Sequence, residues 1–260
     1  MLRTAFTTLA LLLGTLVLGS LVLLAQLVGV PHRQGDIYEK CRVGWGRLLL
    51  RAAGVKVVLH GAEKVSANVP RVFIANHVSW FDIPATLDAL PPYGFLAKRE
   101  LERIPFFGSA ARAAGVIYLD RENRKAAFSA IEDAAKRIQA GESVLVFPEG
   151  TRGERYALRP FKKGAFVLAI GSGAPIVPVV IHGTIAVNPR GEFRASPGVV
   201  NLHLLEPIPT AGMTYDDRDT LAETVRHRMA DCLREVYSIE PALEPRLAER
   251  PNTATPELSM

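Results

Sequence analysis

The sequence predicts an α/β fold, in which a mixed sheet flanked by helices follows an N-terminal hydrophobic, membrane-embedded helical segment. Residues 4–31 contain no Asp, Glu, Lys, Arg or His. Beyond residue 51, short β-rich runs alternate with runs of helical periodicity, which is typical of a sheet covered by helices. We expect three parts: a membrane-anchoring helical segment (1–52), an α/β domain (53–239) and a flexible C-terminal tail (240–260).

The uncharged N-terminal stretch is long enough to cross a bilayer. A helix rises about 1.5 Å per residue, so this stretch exceeds a hydrocarbon core roughly 30 Å thick. A cleaved signal peptide has an apolar region of only about 7–15 residues, which favours a retained membrane segment. Gly14, Gly19 and Gly29 interrupt the stretch. The sequence therefore leaves open whether it spans the bilayer or folds back into one leaflet.

Residues 42–51, which follow the leader, are amphipathic. Apolar residues such as Trp45 stand beside Arg42, Arg47 and Arg51. This pattern suits a helix at the headgroup level whose arginines extend towards water. The formal net charge of +5 suits an anionic membrane surface or a phosphate-bearing substrate, and it does not require nucleic acid. The two cysteines form no metal-binding motif, so no zinc site is indicated.

The α/β domain contains seven strand candidates and two long helices. Apolar periodicity predicts a helix over residues 123–140, with Phe128 and Ile138 on its buried face and Gly141 as its cap. A second helix is predicted over residues 217–237, with a buried face from Leu221 to Val236. The strand candidates are Val55–Leu59, Arg71–Ala75, Phe95–Ala97, Val116–Leu119, Val144–Phe147, Ile176–Ile181 and Val200–Leu205.

His77 and Asp82 are the first candidates for chemistry. Five residues apart on one helix, their side chains would point about 140° away from each other. They can meet only at a turn, and the sequence supplies one: a strand ends near Asn76, and Pro84 suits the first turn of a helix. A carboxylate on one imidazole nitrogen would make the other a general base. Alternatively, His77 binds the backbone and Asp82 caps the helix.

A second candidate, Phe147–Arg152, follows an apolar strand and opens an arginine-rich loop. Glycine allows a ligand close to the backbone, while Arg and Lys suit phosphate. Residues 98–163 contain 14 Lys and Arg against 9 Asp and Glu, a net charge of +5 that matches the excess of the whole chain. This concentration favours an anionic ligand. The alternative is a polar turn with a solvated ion pair.

Four motif blocks follow one another along the chain. The first is N-H-x4-D at Asn76, His77 and Asp82. The second consists of Lys98, Leu101, Ile104, Pro105, Gly108, Asp120 and Arg121. The third is F-P-E-G-T-R at Phe147–Arg152, and the fourth is V-P-V at Val177–Val179. Together these blocks resemble the glycerophospholipid acyltransferase family, and most closely its 1-acyl-sn-glycerol-3-phosphate acyltransferases.

The resemblance implies a membrane enzyme that transfers an acyl chain from acyl-CoA or an acyl-carrier protein to lysophosphatidic acid. His77 would be the base and Asp82 its orienting partner. The implied phosphate-binding residues are Lys98, Arg121, Glu149, Gly150, Thr151 and Arg152. The resemblance implies no cofactor beyond the acyl donor, no metal and no nucleic acid partner. It places the enzyme at membrane lipids, on the cytoplasmic face of a bacterial inner membrane.

Three other functions remain open from the sequence. Trp80 and Phe81 inside the first block make a different lyso-lipid acceptor, such as a lyso-ornithine lipid, a serious alternative. A serine hydrolase is disfavoured because the chain has no G-x-S-x-G motif, and we interpret Ser79 as a turn residue. A lipid-binding protein without activity would leave the His/Asp pair and the basic blocks without a joint purpose.

Overall fold

The computed structural model describes residues 1–32, 35–66, 69–120 and 123–242. Seven strands form one sheet, and each lies within two residues of a predicted strand. They are β1 (Val55–His60), β2 (Val72–Ala75), β3 (Gly94–Lys98), β4 (Ile117–Leu119), β5 (Val144–Val146), β6 (Ile176–His182) and β7 (Gly198–Leu204). Their order in the sheet is β1-β7-β6-β2-β5-β3-β4.

The sheet is mixed, as predicted. Strands β6, β2, β5, β3 and β4 run parallel to one another, whereas β7 pairs with β6 in the antiparallel direction. Strand β1 pairs parallel with β7 and closes the other edge. The carboxyl ends of the five parallel strands therefore meet along one edge of the sheet, which is where open α/β sheets place their ligands.

The helices cover both faces of the sheet. They are α1 (Leu2–Leu27), α2 (Ile37–Ala53), α3 (Asp82–Ala89), α4 (Phe107–Ala113), α5 (Arg124–Gln139), α6 (Gly164–Ser172), α7 (Thr184–Val187) and α8 (Arg218–Tyr237). Alternate residues of β2 point to opposite faces. Val72 and Ile74 pack into one core cluster with α5, α6 and α8, and Phe73 and Ala75 pack into the other with α2 and α3.

The two long predicted helices correspond to α5 and α8, with one correction to each buried face. Phe128 is exposed, because it lies one turn before Ile131, the first residue of α5 that packs on the core. Val236, in the last turn of α8, is also exposed. Gly141 follows α5 with a φ of 102°, a left-handed conformation that glycine adopts easily. Of the predicted tail, residues 243–260 lie outside the described part of the chain.

The N-terminal helix α1 packs against α2 and α4 through a face of small residues. A Cβ atom on Gly14 would lie 2.6 Å from Leu48 Cδ2, and one on Gly19 would lie 2.8 Å from Phe106 Cε1. At its start, Arg3 donates a hydrogen bond to the carbonyl of Ala53 (3.1 Å). Helix α1 is therefore held against the rest of the protein along much of its length.

The opposite face of α1 is apolar and exposed. It carries large side chains that include Phe6, Leu9, Leu13, Leu16 and Leu24. Within the described residues, α1 is the one helix long and apolar enough to cross a membrane by length and composition. An exposed apolar face of this size is typical of a surface that contacts lipid or another protein.

Arg42 of α2 is oriented differently from the prediction. Arg42 donates a hydrogen bond to the carbonyl of Tyr93 (2.6 Å), and Arg47 Nε lies 2.7 Å from Asp88 Oδ1. Arg42 therefore faces the α/β domain, whereas Arg47 is exposed beside its ion pair with α3. Arg51, in the last turn of α2, is exposed as expected.

Candidate active site

The candidate site lies at the carboxyl edge of the parallel strands. His77 follows β2 after one intervening residue, the segment Phe147–Gly150 follows β5, and Lys98 ends β3. Asn76 fixes the end of β2 to β6, because its side-chain amide donates to the carbonyl of Ile181 (3.0 Å) and accepts from its N–H (2.8 Å). The adjacent His77 is thereby placed at a rigid point of the sheet edge.

His77 and Asp82 are in direct contact. His77 Nδ1 lies 2.8 Å from Asp82 Oδ2, and the chain turns between β2 and α3 as the sequence predicts. The same oxygen accepts hydrogen bonds from the N–H groups of Val78 (2.7 Å) and Ser79 (2.8 Å). Asp82 is fully buried. A carboxylate in this position accepts the Nδ1 proton, so Nε2 is the imidazole nitrogen able to take a proton from a substrate.

The alternative interpretation of the pair, a backbone-bonded histidine and a capping aspartate, describes only part of this geometry. Asp82 is the first residue of α3, and Phe81 occupies the cap position. Asp82 therefore binds the turn and the imidazole simultaneously. A negative charge is also favourable at the first turn of a helix.

The loop after β5 holds the backbone of His77 on both sides. The N–H of His77 donates to Glu149 Oε1 (2.9 Å), and its carbonyl accepts from the N–H of Gly153 (2.7 Å). The imidazole ring stacks on Phe147, with the ring centres 4.2 Å apart. The first and third sequence blocks thus form one unit around the imidazole.

Glu149 is buried and binds backbone groups. Its second oxygen, Oε2, accepts from the N–H of Arg159 (3.4 Å). Burial raises the pKa of Glu149 to about 8, and the backbone donors of His77 and Arg159 offset part of that rise. The sequence grouped Glu149 with the phosphate-binding residues. In the structure its carboxylate accepts hydrogen bonds from the backbone N–H groups of His77 and Arg159. Gly150 next to it has a φ of 76°, and Thr151 is exposed.

The predicted cationic residues lie around this unit and are held more loosely. Lys98 is half exposed, with its Nζ 2.6 Å from Glu100 Oε1. The guanidinium of Arg152 lies over the indole ring of Trp80, 4.6 Å from the ring centre. Arg121 falls outside the described residues. Phosphate binding by Lys98, Arg121 and Arg152 remains a prediction.

Ser79 is a structural residue of the turn. It is fully buried, and its hydroxyl donates to the carbonyl of Asn188 (2.9 Å). This contact joins the turn between β2 and α3 to the loop after α7, which the sequence did not connect with the site. Asn188 belongs to no motif and lies 109 residues from Ser79, so no local pattern could have identified it.

Comparisons with known proteins give a family match over the part of the chain that carries His77, Asp82 and Glu149. The family model described as Acyltransferase covers residues 56–182. The human 1-acyl-sn-glycerol-3-phosphate acyltransferase alpha is 37% identical over 185 residues, which are 70% of this chain and 65% of the human protein. This chain thus spans about two thirds of that relative. The yeast 1-acyl-sn-glycerol-3-phosphate acyltransferase is 36% identical over 220 residues, 82% of this chain and 71% of the yeast protein.

A solved structure shares the fold over nearly the whole chain. It is the 1-acyl-sn-glycerophosphate acyltransferase PlsC of Thermotoga maritima, which superposes with a TM-score of 0.76 at 26% identity. The match covers 92% of this chain and 96% of that one, and so extends beyond the α/β domain. The chain belongs to the acyltransferase family that includes the 1-acyl-sn-glycerol-3-phosphate acyltransferases.

Proposed function

We propose that this protein transfers a fatty acyl group from an acyl thioester to the free hydroxyl of lysophosphatidic acid, giving phosphatidic acid. The observation that carries the proposal is the contact of His77 Nδ1 with the buried Asp82 carboxylate, 2.8 Å apart. The relatives named above as 1-acyl-sn-glycerol-3-phosphate acyltransferases support this acceptor.

The proposed reaction is a direct transfer. His77 Nε2 removes the proton from the acceptor hydroxyl as its oxygen attacks the thioester carbonyl carbon. A carbon–oxygen bond forms, the carbon–sulfur bond breaks, and the imidazolium returns the proton to the departing thiolate. Asp82 keeps the imidazole in the required tautomer and stabilises the imidazolium. Ser79 is buried and bonded to Asn188, which supports a mechanism without a serine nucleophile.

The substrates are assigned by charge. Lys98, Arg121 and Arg152 are the proposed ligands of the acceptor's phosphate, because guanidinium and ammonium groups bind phosphate through charge-assisted hydrogen bonds. The acyl donor is acyl-CoA or an acyl-carrier protein, and no further cofactor is proposed. Direct transfer between these two substrates needs neither a metal nor a redox group.

The exposed apolar face of α1 is proposed to contact the membrane. Its large side chains point away from α2 and α4, and lysophosphatidic acid resides in the lipid phase. Because α2 and α4 pack along α1, entry into one leaflet fits this geometry better than an isolated spanning helix. We place the enzyme at the cytoplasmic face of a bacterial inner membrane, where acyl thioesters are made.

The test uses the purified full chain in lipid vesicles. Acyl-CoA and acyl-carrier protein are each offered with lysophosphatidic acid, a lyso-ornithine lipid and other lysophospholipids, and thioester release and lipid product are measured. We expect phosphatidic acid as the main product, and loss of the activity in His77→Ala. The proposal fails if a different lyso-lipid is acylated faster, or if His77→Ala retains near-normal transfer.

A further inference from the structure

We propose that Arg190, which belongs to none of the four sequence blocks, binds the acceptor's phosphate together with Arg152, and that Trp80 positions Arg152 for this contact. The inference rests on the proposed acyl transfer to lysophosphatidic acid. It adds a further guanidinium, that of Arg190, and an aromatic platform to the phosphate site.

Three loops converge beside His77 and bring these residues together. Trp80 lies in the turn between β2 and α3, Arg152 in the loop after β5, and Arg190 in the loop after α7. The hydrogen bond from Ser79 to the carbonyl of Asn188 ties the first loop to the third. Arg190 is therefore two residues from an anchor point on the catalytic turn itself.

The loop that carries Arg190 is held in shape from within. The side-chain amide of Asn188 donates to the carbonyls of Glu192 (3.0 Å) and Arg194 (2.8 Å), so the segment closes on itself. The N–H of Ala195 also donates to Thr4 Oγ1 (3.2 Å). A loop fixed at both ends can hold a binding side chain at a defined place.

Arg190 also contacts the loop of Arg152. Its Nη1 atom lies 3.3 Å from Glu154 Oε1. Glu154 follows Arg152 by two residues in the same loop. The Glu154 side chain is 82% exposed, and exposed ion pairs of this kind are weak. A phosphate dianion can therefore replace Glu154 as the partner of Arg190 at little cost.

The two guanidinium groups are close enough to influence each other. Partial burial lowers the pKa of Arg152, the positive charge of Arg190 lowers it further, and the negative charge of Asp82 offsets part of the fall. Two neighbouring cations repel each other unless an anion lies between them. A phosphate monoester, with a charge of about −1.5 to −2 at neutral pH, is the ligand that matches such a pair.

Trp80 holds Arg152 in a way that leaves its hydrogen-bonding groups available. The face of the indole ring attracts the guanidinium by a cation–π interaction. The N–H donors at the edge of the guanidinium remain available for a bidentate contact with phosphate. A carboxylate partner would instead occupy those donors. Trp80 thus acts through Arg152, as a positioning residue.

The first experiment compares Arg190→Ala with Arg194→Ala. Arg194 lies in the same loop and also forms an exposed ion pair, with Glu192 (3.1 Å), so it is a matched control. In Arg190→Ala we expect the KM for lysophosphatidic acid to rise about 10-fold or more with kcat within about threefold, as for a lost charged hydrogen bond. Arg194→Ala should match the wild type. Equal KM values for both variants and the wild type would overturn the proposal.

A binding measurement separates this inference from the proposed function. Lysophosphatidic acid should raise the melting temperature of the detergent-solubilised wild type more than monoacylglycerol does, which lacks the phosphate. Arg190→Ala should lose this difference and Arg194→Ala should keep it. If the difference depends on Arg190 but no acyl group is transferred, the proposed function fails and the phosphate site stands. If Arg190→Ala transfers the acyl group to lysophosphatidic acid as the wild type does, the proposed function stands and the role of Arg190 in the phosphate site fails.

The role of Trp80 is tested with Trp80→Phe and Trp80→Leu. Phenylalanine keeps an aromatic face for Arg152, so its KM for lysophosphatidic acid should stay within about threefold of the wild type. Leucine removes the face, and its KM should rise to nearly that of Arg152→Ala. Trp80 has no positioning role if both variants change KM equally, or if both change only the melting temperature.

Discussion

Two groups of polar residues meet at the carboxyl edge of the sheet, and they are held in opposite ways. His77, Asp82 and Glu149 are fixed by backbone hydrogen bonds, and both carboxylates are buried. Lys98 and Arg190 form ion pairs at the surface and remain partly exposed. Proton transfer needs a fixed geometry, whereas a cation that receives a substrate must be able to exchange its partner.

The largest effect should follow from breaking the buried pair. In Asp82→Asn and in His77→Ala we expect kcat to fall about 10²–10⁴-fold, because the base loses its orientation or is removed. The double variant should fall little further, since the two residues act as one unit. Asp88→Asn, at an exposed ion pair on the same helix, should stay within about twofold. Additive losses in the double variant would show that the residues act independently.

The next effect concerns the support of His77. Glu149→Ala removes the acceptor of the His77 N–H, and a buried donor left unpaired costs about 1–3 kcal/mol, which corresponds to about 5- to 150-fold in kcat if it displaces the imidazole. Glu149→Gln keeps one acceptor oxygen and should lose less. A rise in the KM for lysophosphatidic acid at unchanged kcat would instead place the Glu149 carboxylate on the phosphate, as its sequence block implies.

A smaller effect is expected at Lys98, on the exposed side of the candidate site. Lys98→Ala should raise the KM for the acceptor by up to about tenfold and change the free energy of unfolding by less than about 0.5 kcal/mol, because the side chain is half exposed. Lys136→Ala, at an exposed ion pair on α5, is the matched control. An effect of Lys98→Ala on kcat alone would mean that Lys98 acts in the chemical step.

The smallest expected effect is the dependence of stability on pH. Burial raises the pKa of Glu149 to about 8, from an ordinary value of 4.5. The folded protein therefore holds a proton that the unfolded chain releases in this window, so stability falls as the pH rises from about 4.5 to 8. Between these two pH values, we expect the melting temperature of Glu149→Gln to fall by a few degrees less than that of the wild type, because glutamine has no proton to release. Parallel curves for the two proteins would contradict this assignment.

Sequence patterns predicted the sheet and the turn between β2 and α3 well because both depend on local rules. Each strand is a short apolar run, and the turn between β2 and α3 follows from the geometry that His77 and Asp82 need to meet. The predicted mixed sheet is also confirmed. The comparison with known proteins supports the family that the four blocks suggested.

What the sequence missed depends on contacts between distant segments. The spacing of apolar residues predicted that Phe128 lies on the buried face of α5. Spacing does not show at which turn the helix reaches the core, and Phe128 lies before that turn. Charge pattern assigned Arg42 to the membrane surface, whereas the carbonyl of Tyr93 accepts its hydrogen bond. Motif matching grouped Glu149 with the phosphate-binding residues and did not reveal its hydrogen bonds with the backbone N–H groups of His77 and Arg159. Arg190 carries no motif, and only the fold brings it near Arg152.

The close packing of α1 has a consequence for protein engineering. A Cβ atom on Gly14 or Gly19 would displace the side chain of Leu48 or Phe106, so a generic hydrophobic anchor grafted in place of α1 would disturb the packing of this helix on α2 and α4. The leader is therefore a specific part of the tertiary structure and not an interchangeable tether. Chimeras within this family should exchange α1 together with α2 and α4, because both of these helices pack against α1.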